Sequence, residues 1–312
     1  IGVFMEGLFT NVHIHKPEVT DLMLAAYSRM KRDDVLGTCF DSRQQWYVQL
    51  IGARTIARAV AAPASEAGSG RAPDKRKSLL VFGDSSVVAL FQGLSQFTPH
   101  GVKARLFPVP GASIAGLGKR YSTLDLMPKI EKCIERFAPD YLLLKFGQVD
   151  VEYGYYHQKF VKRNSRLDFT SYCRKLVDNY LDAVEKIGKK TMVALNSVNL
   201  PSVFSRGCCA KRTLDIVSFG ETANDIACLH KAFALQPSFA QRTRMVMEFN
   251  EMLGGKSRER GLNFIDLTPL CLDTETNLLH EHLRDDEDTH YVTSARHRAQ
   301  IIDYTMEKLL RE

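Results

Sequence analysis

Three stretches bring together side chains that can do chemistry. In "LLVFGDSSV", residues 79–87, an apolar run breaks off into Gly83, Asp84 and the paired serines Ser85 and Ser86. In "KFGQVDVEYGYYHQ", residues 145–158, Gly147 is followed by Gln148, Asp150, Glu152, Tyr153 and His157. In "HEHLRDDEDTH", residues 280–290, His290 stands just after Glu287 and Asp288. A serine at a strand-to-helix turn is lifted out of the sheet, and the first N–H groups of the helix point at any anion that forms beside it. A carboxylate beside a histidine fixes its tautomer and makes it a better base. The first and third stretches also have plainer readings. Asp84, Ser85 or Ser86 can cap the helix, and the acidic run before His290 can be a solvated loop. His280 and His282 with the acidic residues form a weak metal pattern, because no second ligand pair has suitable spacing. His13 and His15 fit a solvent-facing alternation.

The elements that would position these groups alternate in type. Apolar runs predict strands at 79–82, 102–109, 141–146, 191–195 and 262–267. Helical spacing predicts helices over 86–97, 124–137, 169–187, 238–254 and 293–310. Strand–helix alternation implies a parallel sheet covered on both faces, a three-layer α/β/α sandwich. Sites in such sheets form at the carboxyl ends of the strands. The glycine and polar breaks fall at four successive strand ends. After the second strand comes "PVPGAS", where Gly111 permits close backbone approach to a ligand. "GASIAGLGK" has neither the spacing of a phosphate loop nor a Ser or Thr after Lys119. Upstream, residues 1–60 read as a helical N-terminal segment. Residues 61–78, rich in Ala, Pro, Ser and Gly, read as a flexible linker or exposed loop. The α/β domain then occupies 79–312. The "DKRK" at 74–77 is read as a solvated charge run rather than a nuclear address.

The bulk numbers bound the class. The chain has 312 residues, 45% hydrophobic and 25% charged, and a formal net charge of +6. That is enough apolar material for a sizeable core without metal or disulfide staples. The charge is mild and spread out, which argues against a nucleic-acid partner. No apolar stretch approaches the roughly 20 residues of a membrane span. Seven cysteines without regular spacing and an N-terminus unlike a signal peptide favour a reduced, cytoplasmic setting. The oligomeric state is left open.

"FGDSS", "GAS", "GQVD" and "DTH", in that order over roughly residues 78–312, resemble the blocks of the SGNH, or GDSL, hydrolase superfamily. The resemblance implies an SGNH/flavodoxin-like fold, with Ser85 as nucleophile and His290 as its general base. Glu287 or Asp288 would orient the imidazole. The N–H groups of Ser85 and Gly111 would form two arms of an oxyanion hole. The family's third donor is an asparagine, and that position here is Val149. Gln148 supplies an amide next door, within reach only if the chain turns there. The chain thus resembles a divergent branch with GQVD in place of the usual GxND. By this reading it is a serine esterase acting without cofactor or metal. It would remove an acyl group such as acetyl from a small-molecule or glycan ester. Asp84, Asp150, Tyr153, His157 and Asn196 are candidate substrate contacts. An O-acyltransferase acting on a glycan, and a non-catalytic binding protein on the same scaffold, are the alternatives.

Overall fold

The computed structural model describes residues 75–91, 93–109, 111–117, 126–187, 191–205, 237–284, 291 and 293–311. The N-terminal segment 1–60, most of 61–78, and the residues Glu287, Asp288 and His290 lie outside the described residues.

Five strands form one parallel sheet: β1 (Lys77–Gly83), β2 (Val102–Pro108), β3 (Tyr141–Lys145), β4 (Met192–Asn196) and β5 (Asn263–Ile265), in the order β2-β1-β3-β4-β5. This is the doubly wound, flavodoxin-like order, which switches direction between β1 and β3. Leu79 to Phe82 and Leu142 to Leu144 are all buried. A strand covered on both faces has no polar side to show, so its sequence is a continuous apolar run. The register sets Gly83 opposite both Pro108 and Lys145. With Leu144 opposite Leu195, the carboxyl ends of β2, β1, β3 and β4 are therefore level with one another.

Helices form the outer layers. On one side α1 (Ser86–Phe91) and a 3₁₀ turn (Leu94–His100) pack with the closing helix α7 (Ala295–Leu310). On the other, α4 (Phe169–Ile187) packs against both α2 (Ile114–Leu117) and α5 (Phe239–Glu259), and α3 (Leu126–Phe137) lies against α2. Ser238 opens α5 with a reciprocal capping box to Gln241, which satisfies two otherwise orphan donors. After β5 come a one-turn α6 (Thr268–Cys271) and a two-residue antiparallel pair, β6 (Leu272–Asp273) with β7 (Leu278–Leu279).

Two departures from the expected elements matter for the site. Residues 148–161 are helical throughout and contain π turns at Asp150–Gly154 and His157–Val161. Tyr153, Tyr155, Tyr156 and Val161 form a small apolar cluster there, with Val149 and Tyr172 against it. The second departure is α5, which runs through Gly254 and Gly255 to Glu259. A Cβ on Gly254 would lie 2.7 Å from the Phe264 ring, so this glycine serves the close approach of helix to strand rather than a helix stop.

Candidate active site

β1 ends at Gly83 because nothing larger fits. A Cβ there would lie 2.2 Å from Val87 Cγ1 and 2.4 Å from the Lys145 carbonyl oxygen. Strand end, helix start and the neighbouring strand close on each other around a residue with no side chain. The Asp84 N–H donates to that same carbonyl at 3.1 Å. Asp84 then turns its carboxylate back onto α1. Its Oδ1 accepts from the Ser86 N–H at 3.0 Å and the Ser86 hydroxyl at 2.5 Å. Asp84 therefore caps α1. Ser85 is half-buried at the crest between them.

The loop after β2 meets this turn. The Val109 N–H donates to the Gly83 carbonyl at 2.7 Å, and the Ala112 N–H returns to the Val109 carbonyl at 3.0 Å. Gly111 sits in that turn with φ 74°, a left-handed conformation glycine adopts at no steric cost. The loop after β3 holds the far end of the same segment. Asp150, at 1% exposure, accepts from the Ile114 N–H at 2.6 Å through Oδ2 and from the Ala115 N–H at 3.1 Å through Oδ1. Burial pushes the Asp150 carboxyl up to about 7, against the pull of these backbone donors. Gly147, with φ 121°, leaves no space for a side chain, since a Cβ would lie 2.7 Å from Val198 and 3.1 Å from Ile114.

Gln148 is drawn away from β3 toward the loop after β4. Its carbonyl accepts from the Asn199 N–H at 3.0 Å, and its amide donates to the Asn199 carbonyl at 3.3 Å. One amide hydrogen of Gln148 is left over from this pair. Asn250 on α5 grips the neighbouring residue in the same two-ended way, bonding the N–H and the C=O of Val198 at 2.8 Å each. The loop after β4 is thus braced from two elements. Asn196 ends β4 with no exposure, and neither amide atom has a hydrogen-bond partner among the described residues. Tyr153 is buried in the small tyrosine cluster, and His157 is half-buried on the π-turn helix.

Lys145 is a site residue hidden, in one dimension, inside an apolar strand. It is fully buried, and its ammonium donates to the Ser197 carbonyl at 2.6 Å. Burial lowers its pKa to about 8, while the nearby Asp84 carboxylate pulls the other way. A lysine inside "YLLLKF", one step from the strand end, is the signal that could have found it, because a buried ammonium needs partners.

His280 and His282 stack at 5.4 Å between ring centroids, and the His297 ring stands 6.0 Å from His282. Burial and these two rings hold His297 below the usual histidine range. Among the described residues no group of three or more His, Cys, Asp or Glu is arranged to hold a metal. Nor, among them, is any helix long and apolar enough to cross a membrane. The described cysteines Cys133, Cys173 and Cys271 are free and buried.

No protein-family model matches the sequence, and no curated protein matches it. Solved structures do resemble it. A GDSL-like lipase from Bacteroides thetaiotaomicron aligns over 82% of this chain and 100% of its own, at 14% identity and TM-score 0.46. An acetylxylan esterase from Geobacillus stearothermophilus, solved as a catalytic mutant, aligns over 76% and 95%, at 13% identity and TM-score 0.42. An α/β hydrolase from the Lake Arreo metagenome aligns over 75% and 94%, at 13% identity and TM-score 0.44. At such values the strand order and the residues themselves carry any functional reading.

Proposed function

We propose that this chain is a serine ester hydrolase of the SGNH type, working through an acyl-enzyme on Ser85. The observation that carries the reading is the convergence at the switch between β1 and β3. Ser85 stands on a turn whose capping work is done by Asp84. The Gly111 loop is tied to the strand before that turn, and the third-strand block is tied to the Gly111 loop. Ligands of doubly wound sheets bind at this switch point.

In this mechanism His290 takes the Ser85 proton as the hydroxyl oxygen attacks the ester carbonyl carbon. The oxyanion is met by the N–H groups of Ser85 and Gly111, with the spare Gln148 hydrogen as the third donor. The intermediate collapses, the alcohol leaves with the proton from His290, and the acyl group remains on Ser85. Water, activated by the same imidazole, releases the acid. Glu287 or Asp288 orients the imidazole. We assign a short acyl group such as acetyl on a carbohydrate or other polar alcohol. The unsatisfied Asn196 amide at the end of β4 favours a hydroxyl-rich ligand.

One observation favours a second reading, a binding protein on the same scaffold. Val149 stands where the family has its asparagine donor, and the Gln148 amide is already bonded to Asn199. The two readings part on Ser85→Ala. The esterase reading expects loss of fluorophosphonate labelling and a fall in acetyl-ester turnover of about 1000-fold or more. A wild-type protein that takes no label and hydrolyses no acetylated sugar, yet binds the sugar, selects the binding reading.

A further inference from the structure

We infer that Asp150 is a positioning residue for this reaction: its carboxylate holds the loop after β2 in the shape that presents the Gly111 N–H to the oxyanion. The inference rests on the esterase reading and adds to it the means by which the third-strand block acts, namely through the second-strand loop.

Both oxygens of Asp150 are occupied by backbone donors, and the side chain is 1% exposed. A carboxylate so placed does not touch substrate. Its two donors, Ile114 and Ala115, open α2, a helix of only 4 residues. The first N–H groups of a helix have no acceptor within it, and one turn is too short to be stable alone. The Gly116 N–H finds the Ser113 hydroxyl at 3.1 Å, but the Ile114 and Ala115 N–H groups need acceptors from outside the turn, and Asp150 supplies both. Three residues upstream lies Gly111, in the turn closed by the Ala112 N–H on the Val109 carbonyl. That turn is thus fixed at one end by Val109 on the Gly83 carbonyl and at the other by Asp150 on α2. Gly147 lets the third-strand loop come close enough for this.

Two N–H donors on two oxygens are a carboxylate's pattern, since a protonated carboxyl has one oxygen turned donor. The charged groups facing Asp150 are few. Asp84 beyond β1 raises its pKa further. Tyr172 on α4 donates its hydroxyl to the Asp150 main-chain carbonyl at 3.2 Å, and Tyr180 on α4 lies within electrostatic range. No cation is among these contributors, so burial dominates, and the closed loop binds the Asp150 proton more tightly than an opened, hydrated one does.

The experiment compares wild type with Asp150→Asn. Initial rates of p-nitrophenyl acetate hydrolysis are read alongside amide hydrogen exchange over residues 111–117. Asparagine offers those donors one acceptor and one clashing N–H. The expected result is a fall in kcat of about 10- to 100-fold with KM within about threefold, because the substitution misaims an oxyanion donor and leaves substrate binding intact. Exchange at Ile114 and Ala115 should accelerate at least about tenfold. In the wild type, with no substitution to threaten folding, protection of those amides should rise as pH falls from 8 to 5.5, because the closed loop keeps Asp150 buried and so binds its proton more tightly than an opened, hydrated loop does. Unchanged kcat in a variant whose 111–117 amides have loosened overturns the inference. So does wild-type protection that stays flat or falls as the pH is lowered over that range. A wild type without hydrolysis or fluorophosphonate labelling sinks the esterase reading, and with it the kinetic arm. The exchange arm separately decides whether Asp150 holds the loop.

Discussion

Gly83→Ala tests the tightest point of the site. The added methyl meets Val87 Cγ1 at 2.2 Å and the Lys145 carbonyl oxygen at 2.4 Å. Ordinary packing therefore requires each to retreat by roughly 1 Å. Val87 is fully buried at the start of α1 and can be repacked. The carbonyl cannot move alone, because it accepts the Asp84 N–H and belongs to a strand paired on both sides. Overpacking of this kind costs about 1–3 kcal/mol. The glycine's φ is not in the left-handed region, so alanine recovers up to about 1 kcal/mol through the unfolded chain. The net expectation is a loss of about 2 kcal/mol, or roughly 4–8 °C in melting temperature for a domain of this size. Ser85 lies two residues on, so turnover should fall too. Adding Val87→Ala should give a double variant less destabilised than the two single losses summed, since one of the two clashes is gone. The backbone clash should keep it below Val87→Ala alone. Urea unfolding of the four proteins measures this. A Gly83→Ala variant within about 0.5 kcal/mol of wild type would refute the claim that the turn closes on a bare backbone.

Lys145→Met carries a pH signature. The folded-state pKa of Lys145 lies near 8, below the ordinary 10.4 of an unfolded lysine. Between these values the unfolded chain holds a proton that the folded one has released, so wild-type stability rises with pH relative to the variant. The rise is up to about 1.4 kcal/mol per pH unit, about 3 kcal/mol in all, and is absent below pH 8. Urea unfolding of both proteins from pH 6.5 to 9.5 checks it, and a flat difference across that span contradicts the buried, strained ammonium. Val149→Asn supplies the amide that the SGNH resemblance would expect at this position but not a donor geometry, because Val149 packs against the tyrosine cluster. Steady-state kinetics should show kcat within about threefold of wild type, with stability about 1 kcal/mol lower from the amide placed among apolar neighbours; a hundredfold gain in kcat would show that the position faces the oxyanion.

Some elements are closely legible in the sequence and others are not, for identifiable reasons. The expected helix over 169–187 coincides with the bounds of α4 because nineteen residues of steady helical spacing leave little choice. The β1 and β3 runs are legible as apolar blocks. Residues 148–161 are not, because π turns shift side chains off the 3.6-residue period on which such readings rest. The expected helix stops at Gly254 because a glycine needed for close approach to Phe264 looks, in one dimension, like a terminator. Of the candidate site, Ser85 stands out in the sequence less through Gly83 and Asp84 alone than through the order of the glycine and polar breaks that follow at later strand ends. The work of Asp150 is not legible, because its partners are main-chain N–H groups from another strand's loop, and a backbone donor leaves no mark in a residue type.

The buried polar groups of this site fall into two kinds. Asp84, Asp150, Gln148 and Asn250 each bond to backbone near a strand end or the start of a helix. These side chains stand in for the sheet hydrogen bonds that stop where the strands stop. Removing any of them leaves main-chain groups unpaired and so acts through loop shape. Asn196 and the second oxygen of Asp84 differ, being buried without a hydrogen-bond partner among the described residues. Groups in that state carry a desolvation cost that a fold rarely keeps without return. A scaffold selected only for stability would carry an apolar residue at position 196, as the same strand does at Ala194 two positions earlier. The level ends of β1, β3 and β4 thus combine an over-braced backbone with under-satisfied side chains. That combination is what the proposed ligand site requires and a well-packed sheet edge does not.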